Sequence, residues 1–166
     1  MRNLFPDLYL DSVYDIDYNS LAAAGITNLI YDIDNTLAPF DTPEPFPHTL
    51  ELFAALRGQG FAIALLSNNK LARVEGFAAA LAHLGISYVA KAGKPGRRGL
   101  DAAMGAMGAS RGNTVLIGDQ VFTDVWCARR NGVYSILVKP VSRRDEPAVK
   151  LKRLPEKLVL YLYTKL

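Results

Sequence analysis

Apolar positions along the chain follow two alternating rhythms. Compact runs rich in β-branched residues cover Asn28 to Asp34, Phe61 to Ser67, Ser87 to Ala90, Thr114 to Asp119 and Val133 to Val138, and each reads as a strand. Between them, Thr49 to Arg57, Lys70 to Leu84, Arg97 to Met107 and Phe122 to Asn131 carry apolar residues at helix spacing. This alternation with short connections predicts an α/β fold of three layers, a five-stranded and mainly parallel sheet with helices on both faces. Right-handed crossovers leave few other arrangements. Gly60, Gly85 and Gly132 stand just before three of the strands, where the preceding helices should stop. The proline-rich link from Thr42 to Pro47 leads from the first strand into the first helix.

Two segments fall outside the rhythm. Leu4 to Leu21 mixes Leu8, Leu10, Val13 and Ile16 with Asp7, Asp11, Asp15 and Asp17, and is expected to lie along a flank of the sheet. From Leu151 helical spacing resumes at Leu154, Leu158 and Leu162, with Pro155 in a first turn and a basic outer face. No uninterrupted apolar run approaches the roughly 18 to 20 residues that cross a bilayer. Pro6 and Asp7 interrupt the N-terminus before a signal-peptide core could form, so no export is predicted.

Length and charge narrow the picture further. With 166 residues, 50% of them hydrophobic, the chain supports one buried core, and a single domain over 1–166 is expected. Cys127, among Val125, Trp126 and Ala128, reads as a small buried hydrophobe, which suits a reducing cytoplasm. The net charge of +3 is uneven: from Lys139 onward eight basic residues face three acids, so this tail carries +5 and the body −2. A tail of this kind points to an acidic partner, anionic lipid or nucleic acid, or simply to a solvated helix.

The chemistry gathers at predicted strand ends, where ligands bind in parallel sheets. Asp32 and Asp34 end the first strand; two positions apart, they leave the sheet on the same side. Adjacent carboxylates repel unless a cation stands beside them, and a hard, oxygen-preferring ion such as Mg²⁺ fits. Ser67 follows the second strand in Ser67-Asn68-Asn69, Lys94 precedes Pro95 beyond the third, and Asp119 and Asp124 follow the fourth. Each has a plainer role when taken singly. Asp34, Ser67 and Thr36 could cap helices, Asp124 could be a first-turn acid, and Lys91 competes with Lys94 as the cation, Lys94 being preferred for its Lys-Pro pairing. His48 and His83 fall outside every motif and read as surface or capping residues.

Together these residues resemble the haloacid-dehalogenase-like (HAD) phosphohydrolases. From Asp32 to Asp124 the chain has, in the family's order, DxDxT, a Ser after the second strand, a Lys, and GDxxxxD. The resemblance implies a Rossmann-like fold and a Mg²⁺-dependent phosphomonoester hydrolase. Asp32 would be the nucleophile, forming an aspartyl-phosphate, and Asp34 the general acid and base. Ser67, the backbone N–H of Asn68 at a helix start, and Lys94 would bind the phosphate. Asp32, the backbone carbonyl of Asp34, Asp119 and Asp124 would hold Mg²⁺, Asp124 directly or through water.

A narrower resemblance covers most of the chain. Leu4-Phe5-Pro6-Asp7-Leu8-Tyr9, Ile30 to Leu37, Ser67-Asn68-Asn69, Lys94-Pro95 and Gly118-Asp119-Gln120 with Thr123-Asp124 are similar to the YqeG family of HAD subfamily IIIA phosphatases. That family's relatives include the mitochondrial phosphatidylglycerophosphatase, which makes this phospholipid a candidate substrate. About thirty residues separate Asp34 from Ser67 and about as many separate Ser67 from Lys94, which leaves no room for a cap domain. An open site favours a large or exposed phosphomonoester; a nucleic-acid end, a protein or a sugar phosphate are the alternatives. The expected location is cytoplasmic, with peripheral contact to the inner face of an anionic membrane through the tail, nucleic acid being the less favoured partner. Two other classes compete: a receiver-like phosphoacceptor, disfavoured by the order of its acids, and a non-catalytic binding module.

Overall fold

The protein is described by a computed structural model covering residues 2–142 and 147–165, with side chains described outside 147–153. Six strands form one sheet: β1 Leu8–Leu10, β2 Asn28–Tyr31, β3 Ala62–Leu66, β4 Ser87–Val89, β5 Thr114–Gly118 and β6 Tyr134–Val138. Their order is β1-β6-β5-β2-β3-β4, and every pairing is parallel. The helices are α1 Tyr18–Ala23, α2 Pro47–Gly58, α3 Leu71–Ala79, α4 Arg98–Met107, α5 Trp126–Arg130 and α6 Pro147–Tyr163. The connection from β2 to β3 carries α2, and that from β3 to β4 carries α3 and a 3-10 turn.

The sheet has six strands where the sequence predicts five. The addition is β1, inside the segment expected along a flank, which pairs Leu8, Leu10 with Ile136, Val138 at the edge. Three half-buried residues are too short to display a period of two, so the pattern hides this strand. Asp7 fixes its register instead: its Oδ2 accepts from Ser135 N at 2.8 Å and Ser135 Oγ at 3.0 Å, and its own N–H donates to Ser135 O at 3.1 Å. Asp17 has a similar local task, capping α1 by accepting from Ser20 N at 2.9 Å.

The central strands β2 and β5 are buried along their whole length, and alternation sorts their side chains into two layers. Leu29, Tyr31, Ile63, Leu65, Val115 and Ile117 share one apolar cluster with Phe53 and Leu56 of α2 and Val74 and Phe77 of α3. Ile30, Ala64, Leu66 and Leu116 share the other with Leu100, Ala103 and Met104 of α4 and Cys127 and Ala128 of α5. Burying each large side chain contributes about 1.5–3 kcal/mol, so these layers supply the main driving force for the fold. Cys127 is one of the fully buried members, as the sequence predicts.

Several boundaries differ from the expected ones. The first strand ends at Tyr31 rather than Asp34, because Asn35 adopts a left-handed conformation (φ 62°) and its N–H donates to Ala38 O at 2.7 Å, curling the chain off the sheet. The helix expected over 70–84 splits into α3 and the 3-10 turn Ala82–Leu84, and the one over 122–131 begins as a π-helical turn, Val121–Val125, before α5.

The tail is helical but turned the other way. α6 begins at Pro147, so Pro155 lies inside the helix rather than in its first turn. Leu154, Leu158 and Leu162 face outward, exposed by 71%, 62% and 36%, while Glu156 and Val159 are buried. Val159 packs with Val121, Val125 and Leu137, joined by Leu4, Phe5, Tyr9, Phe122 and Leu160. Helical spacing identifies a stripe but not which side faces the core, and here the Glu156 side won because backbone donors await its carboxylate. Arg143 and Arg144, part of the basic tail, lie outside the described residues.

Candidate active site

Parallel pairing brings the predicted residues to the C-terminal end of the sheet. Tyr31 is registered against Ile117, and Asp32 N donates to Ile117 O at 2.9 Å, so Asp32 and Asp119 leave neighbouring strands side by side. Ser67 leaves β3 on the other flank of β2, one residue beyond the level of Asp32 in the Tyr31↔Leu65 register. Lys94 arrives from the loop after β4. That loop is pinned by Asn68, whose Oδ1 accepts from Lys94 N at 2.8 Å and whose Nδ2 donates to Lys94 O at 3.0 Å.

Lys94 Nζ donates to Asp32 Oδ1 at 2.7 Å and to Asp124 Oδ1 at 2.6 Å, with its side chain only 2% exposed. Lys91, its competitor, is exposed. The other oxygen of Asp124 accepts from Gln120 N at 3.1 Å. This carboxylate lies so close to β5 that a Cβ on Gly118 would meet Asp124 Cγ at 2.3 Å. Glycine is therefore required there by close approach. Thr36 Oγ1 donates to Asp32 Oδ2 at 3.1 Å and lies 3.5 Å from Asp119 Oδ1, bracing the turn that follows the strand.

Asp32, Asp119 and Asp124 are all buried and each offers an oxygen within 4.8 Å of the others. Oxygens on opposite sides of a Mg²⁺ ion stand about 4.2 Å apart, twice the metal–oxygen distance, so the spacing suits a small hard cation. The donor set fits as well: three carboxylates converge here, and a hard divalent cation prefers such oxygens. Burial pushes the Asp32 carboxyl up to about 7; Lys94 pulls it back, while Asp124 and Asp34 push it further up. Burial also works against the Lys94 ammonium, but Asp124 and Asp32 outweigh it and hold Lys94 above its usual range. A divalent cation beside these acids would favour their ionised forms.

Asp34 has a different position. Its carboxylate turns to Arg73, receiving Nε at 3.1 Å and the ion pair from Nη2 at 3.1 Å, and to Asn69 Nδ2 at 3.1 Å. Arg73 is held in turn by Pro43 O and by stacking over Phe77. Ser67 is buried, with its Oγ accepting from Asn69 N at 3.1 Å. α3 begins at Leu71, so Asn68 stands in the turn ahead of the helix, not in its first turn as expected. His48 and His83 are both exposed, His48 stacking on Phe46.

Sequence reasoning missed Arg73, Asn69 and the Lys94 clamp made by the Asn68 side chain. An arginine in a helix reads as a solvated face, and only the fold shows that residues 39 apart are paired. Glu156, whose Oε1 accepts from Val121 N at 2.8 Å, was likewise invisible as anything but a tail charge.

A parallel α/β sheet with acids, a serine and a lysine at its C-terminal end defines a class of hydrolase, and sequence comparison agrees. A haloacid dehalogenase-like hydrolase profile matches residues 7–132, and the chain belongs to that family. The chain is 33% identical over 155 residues to the protein named "Probable phosphatase YqeG" of Bacillus subtilis, covering 93% of this chain and 88% of the relative. It is also 27% identical over 154 residues to phosphatidylglycerophosphate phosphatase 1 of Arabidopsis thaliana, covering 88% of this chain but 44% of that longer protein. The fold matches a HAD phosphatase from Thermococcus onnurineus at a TM-score of 0.59 and 11% identity, over 78% of this chain and 98% of that one.

Proposed function

We propose that this chain is a Mg²⁺-dependent phosphomonoesterase that works through an aspartyl-phosphate on Asp32, from a single domain without a cap. The observation that carries this reading is the buried cluster of Asp32, Asp119 and Asp124 joined to Lys94 at the strand ends. Asp32, Asp119 and Asp124 would hold the metal together with the backbone carbonyl of Asp34, and bound Mg²⁺ would supply positive charge to the phosphoryl oxygens. In the first half-reaction Asp32 Oδ attacks phosphorus, the P–O bond to the leaving group breaks, and Asp34 gives that oxygen its proton. In the second, Asp34 takes a proton from water, which attacks the acyl phosphate and releases phosphate and free Asp32. Ser67, the Asn68 N–H and Lys94 bind the phosphoryl oxygens throughout. Because the Asp34 carboxylate is paired with Arg73 and Asn69, its protonation of a leaving group requires that pairing to open.

The substrate we favour is a phosphorylated phospholipid headgroup, with phosphatidylglycerophosphate first. Similarity to phosphatidylglycerophosphate phosphatases supports the choice. So does α6, which presents Leu154, Leu158, Tyr161 and Leu162 outward beside the exposed Lys157 and Lys165, an arrangement suited to the surface of an anionic bilayer. Among the described residues no helix is long and apolar enough to cross a membrane. The test is phosphate release from phosphatidylglycerophosphate in mixed micelles, beside sugar phosphates, nucleotides and a phosphorylated DNA end, with Mg²⁺ or EDTA. Selective Mg²⁺-dependent turnover of the lipid, lost in Asp32→Asn, is the expected result. Turnover confined to soluble esters would keep the mechanism and discard the lipid.

A further inference from the structure

Glu156 is 3% exposed, although Lys157, its neighbour on the same helix, and Lys165, just beyond the helix end, lie in solvent. Its Oε1 accepts from Val121 N at 2.8 Å and Phe122 N at 3.5 Å. These are the first donors of the π-helical turn that runs on into α5, and donors at a helix start have no partner within the helix. A carboxylate there also meets the positive end of the helical backbone dipole. Burying a charge is costly unless it is hydrogen-bonded, and a leucine at this position would extend the Val121, Val125, Leu137 and Val159 cluster without that cost. These donors give the acid a local task that a leucine could not perform.

Those donors belong to the segment that carries two of the clustered acids. Asp119 ends one side of it, and Asp124, three residues beyond Val121, closes it by returning its Oδ2 to Gln120 N and its own N–H to Gln120 O at 2.9 Å. Gly118 admits Asp124 against the strand and Glu156 ties Val121 and Phe122, so the segment between Asp119 and Asp124 is held by contacts at its strand end and at its first turn. We propose that Glu156 is a positioning residue for the metal site: through the Val121 and Phe122 N–H groups it holds Asp119 and Asp124 at the spacing a divalent cation requires. The α6 helix is thereby part of the active-site scaffold. This inference rests on the reading of Asp32, Asp119 and Asp124 as a Mg²⁺ site.

The test is calorimetric titration of Mg²⁺ into the metal-stripped full-length protein, with thermal unfolding of each variant in parallel. Removing a partner that orients metal ligands typically weakens the metal about 10-fold or more, and Glu156→Ala is expected to do so. Glu156→Gln, whose amide oxygen still accepts, should recover most of the affinity. Val159→Ala, which loosens the same helix contact, should lower Tm and leave Mg²⁺ affinity unchanged. If Glu156→Ala does not fold, Glu156→Leu fills the apolar contact, removes the acceptor and carries the same expectation. Wild-type affinity in the Ala or Leu variant, or equal weakening in Val159→Ala, would overturn the proposal while leaving the metal site standing. A wild-type protein that binds no Mg²⁺ would remove both.

Discussion

The two ends of the central strands solve the problem of buried polar groups in opposite ways. At the N-terminal end of β2, Asn28 Nδ2 donates to Asn113 Oδ1 at 3.0 Å and Thr27 Oγ1 at 3.0 Å; Asn113 Oδ1 also accepts from Ser110 N at 2.9 Å, and Thr114 Oγ1 donates to Ser110 O at 2.6 Å. Every member is neutral and the donors and acceptors answer one another. Four residues along the same strand, Asp32 opens a cluster of three buried carboxylates around one lysine. The first network pairs neutral donors with neutral acceptors, while the second gathers titratable carboxylates around a lysine. The difference separates polar groups whose bonds hold the sheet together from polar groups whose oxygens converge closely enough to hold a cation.

The comparison breaks most sharply at Asp32. Asp32→Asn should lower turnover by a factor on the order of 10³ or more while the far-ultraviolet circular dichroism is retained, since the amide cannot serve as nucleophile. Appreciable Mg²⁺-dependent activity in a clean preparation of this variant would sink the assignment. Lys94→Met removes the one cation bonded to Asp32 and Asp124 and should cost about 3–5 kcal/mol of stability without metal. Denaturant titration measures that loss, and added Mg²⁺ should recover part of it only if the acids bind metal. At the other end of the strand, Asn28→Ala should cost about 0.5–1.5 kcal/mol by removing one donor from Asn113 Oδ1, which Ser110 N still serves. Its kcat should match wild type, and a kcat loss parallel to that of Lys94→Met would erase the distinction between the two ends.

The smallest effect concerns the buried phenol pair on one face of β2. Tyr31 Oη donates to Tyr18 Oη at 2.8 Å, and burial raises both hydroxyls above their ordinary range. A folded-state pKa above the unfolded one contributes stability that is fully present below the unfolded value, about 10, and is lost as pH rises beyond it. Unfolding monitored from pH 8 to 11 should therefore show a fall near the top of that window. Tyr31→Phe should flatten it, and an unchanged slope would mean the pair does not govern alkaline stability.

Legibility followed the same physical divide. Five of the six strands announce themselves as apolar runs, most plainly the fully buried β2 and β5, and Asp32, Ser67 and Asp119 stand out because each lies just beyond such a run, with Lys94 and Asp124 a few residues further on. The edge strand β1 does not, since three half-buried residues carry no period and its register rests on Asp7 meeting Ser135, 128 residues away. The inner face of α6 was also misjudged: leucine spacing marked Leu154, Leu158 and Leu162, but among the described side chains of that helix the buried ones are Glu156 and Val159.

The sequence by itself determined the order of the elements and the residue types delivered to the strand ends, because both follow from local periodicity and from spacing along the chain. Tertiary structure alone decided that Arg73 takes the Asp34 carboxylate, that Asn68 clamps the Lys94 backbone, and that a tail glutamate caps the turn bearing Asp124. Each of these is a contact between segments 26 to 39 residues apart, with Asn68 and Lys94 the nearest in sequence and Asp34 and Arg73 the farthest. Such contacts form only once the sheet has aligned its strands, and a hydrogen bond depends on that geometry rather than on composition.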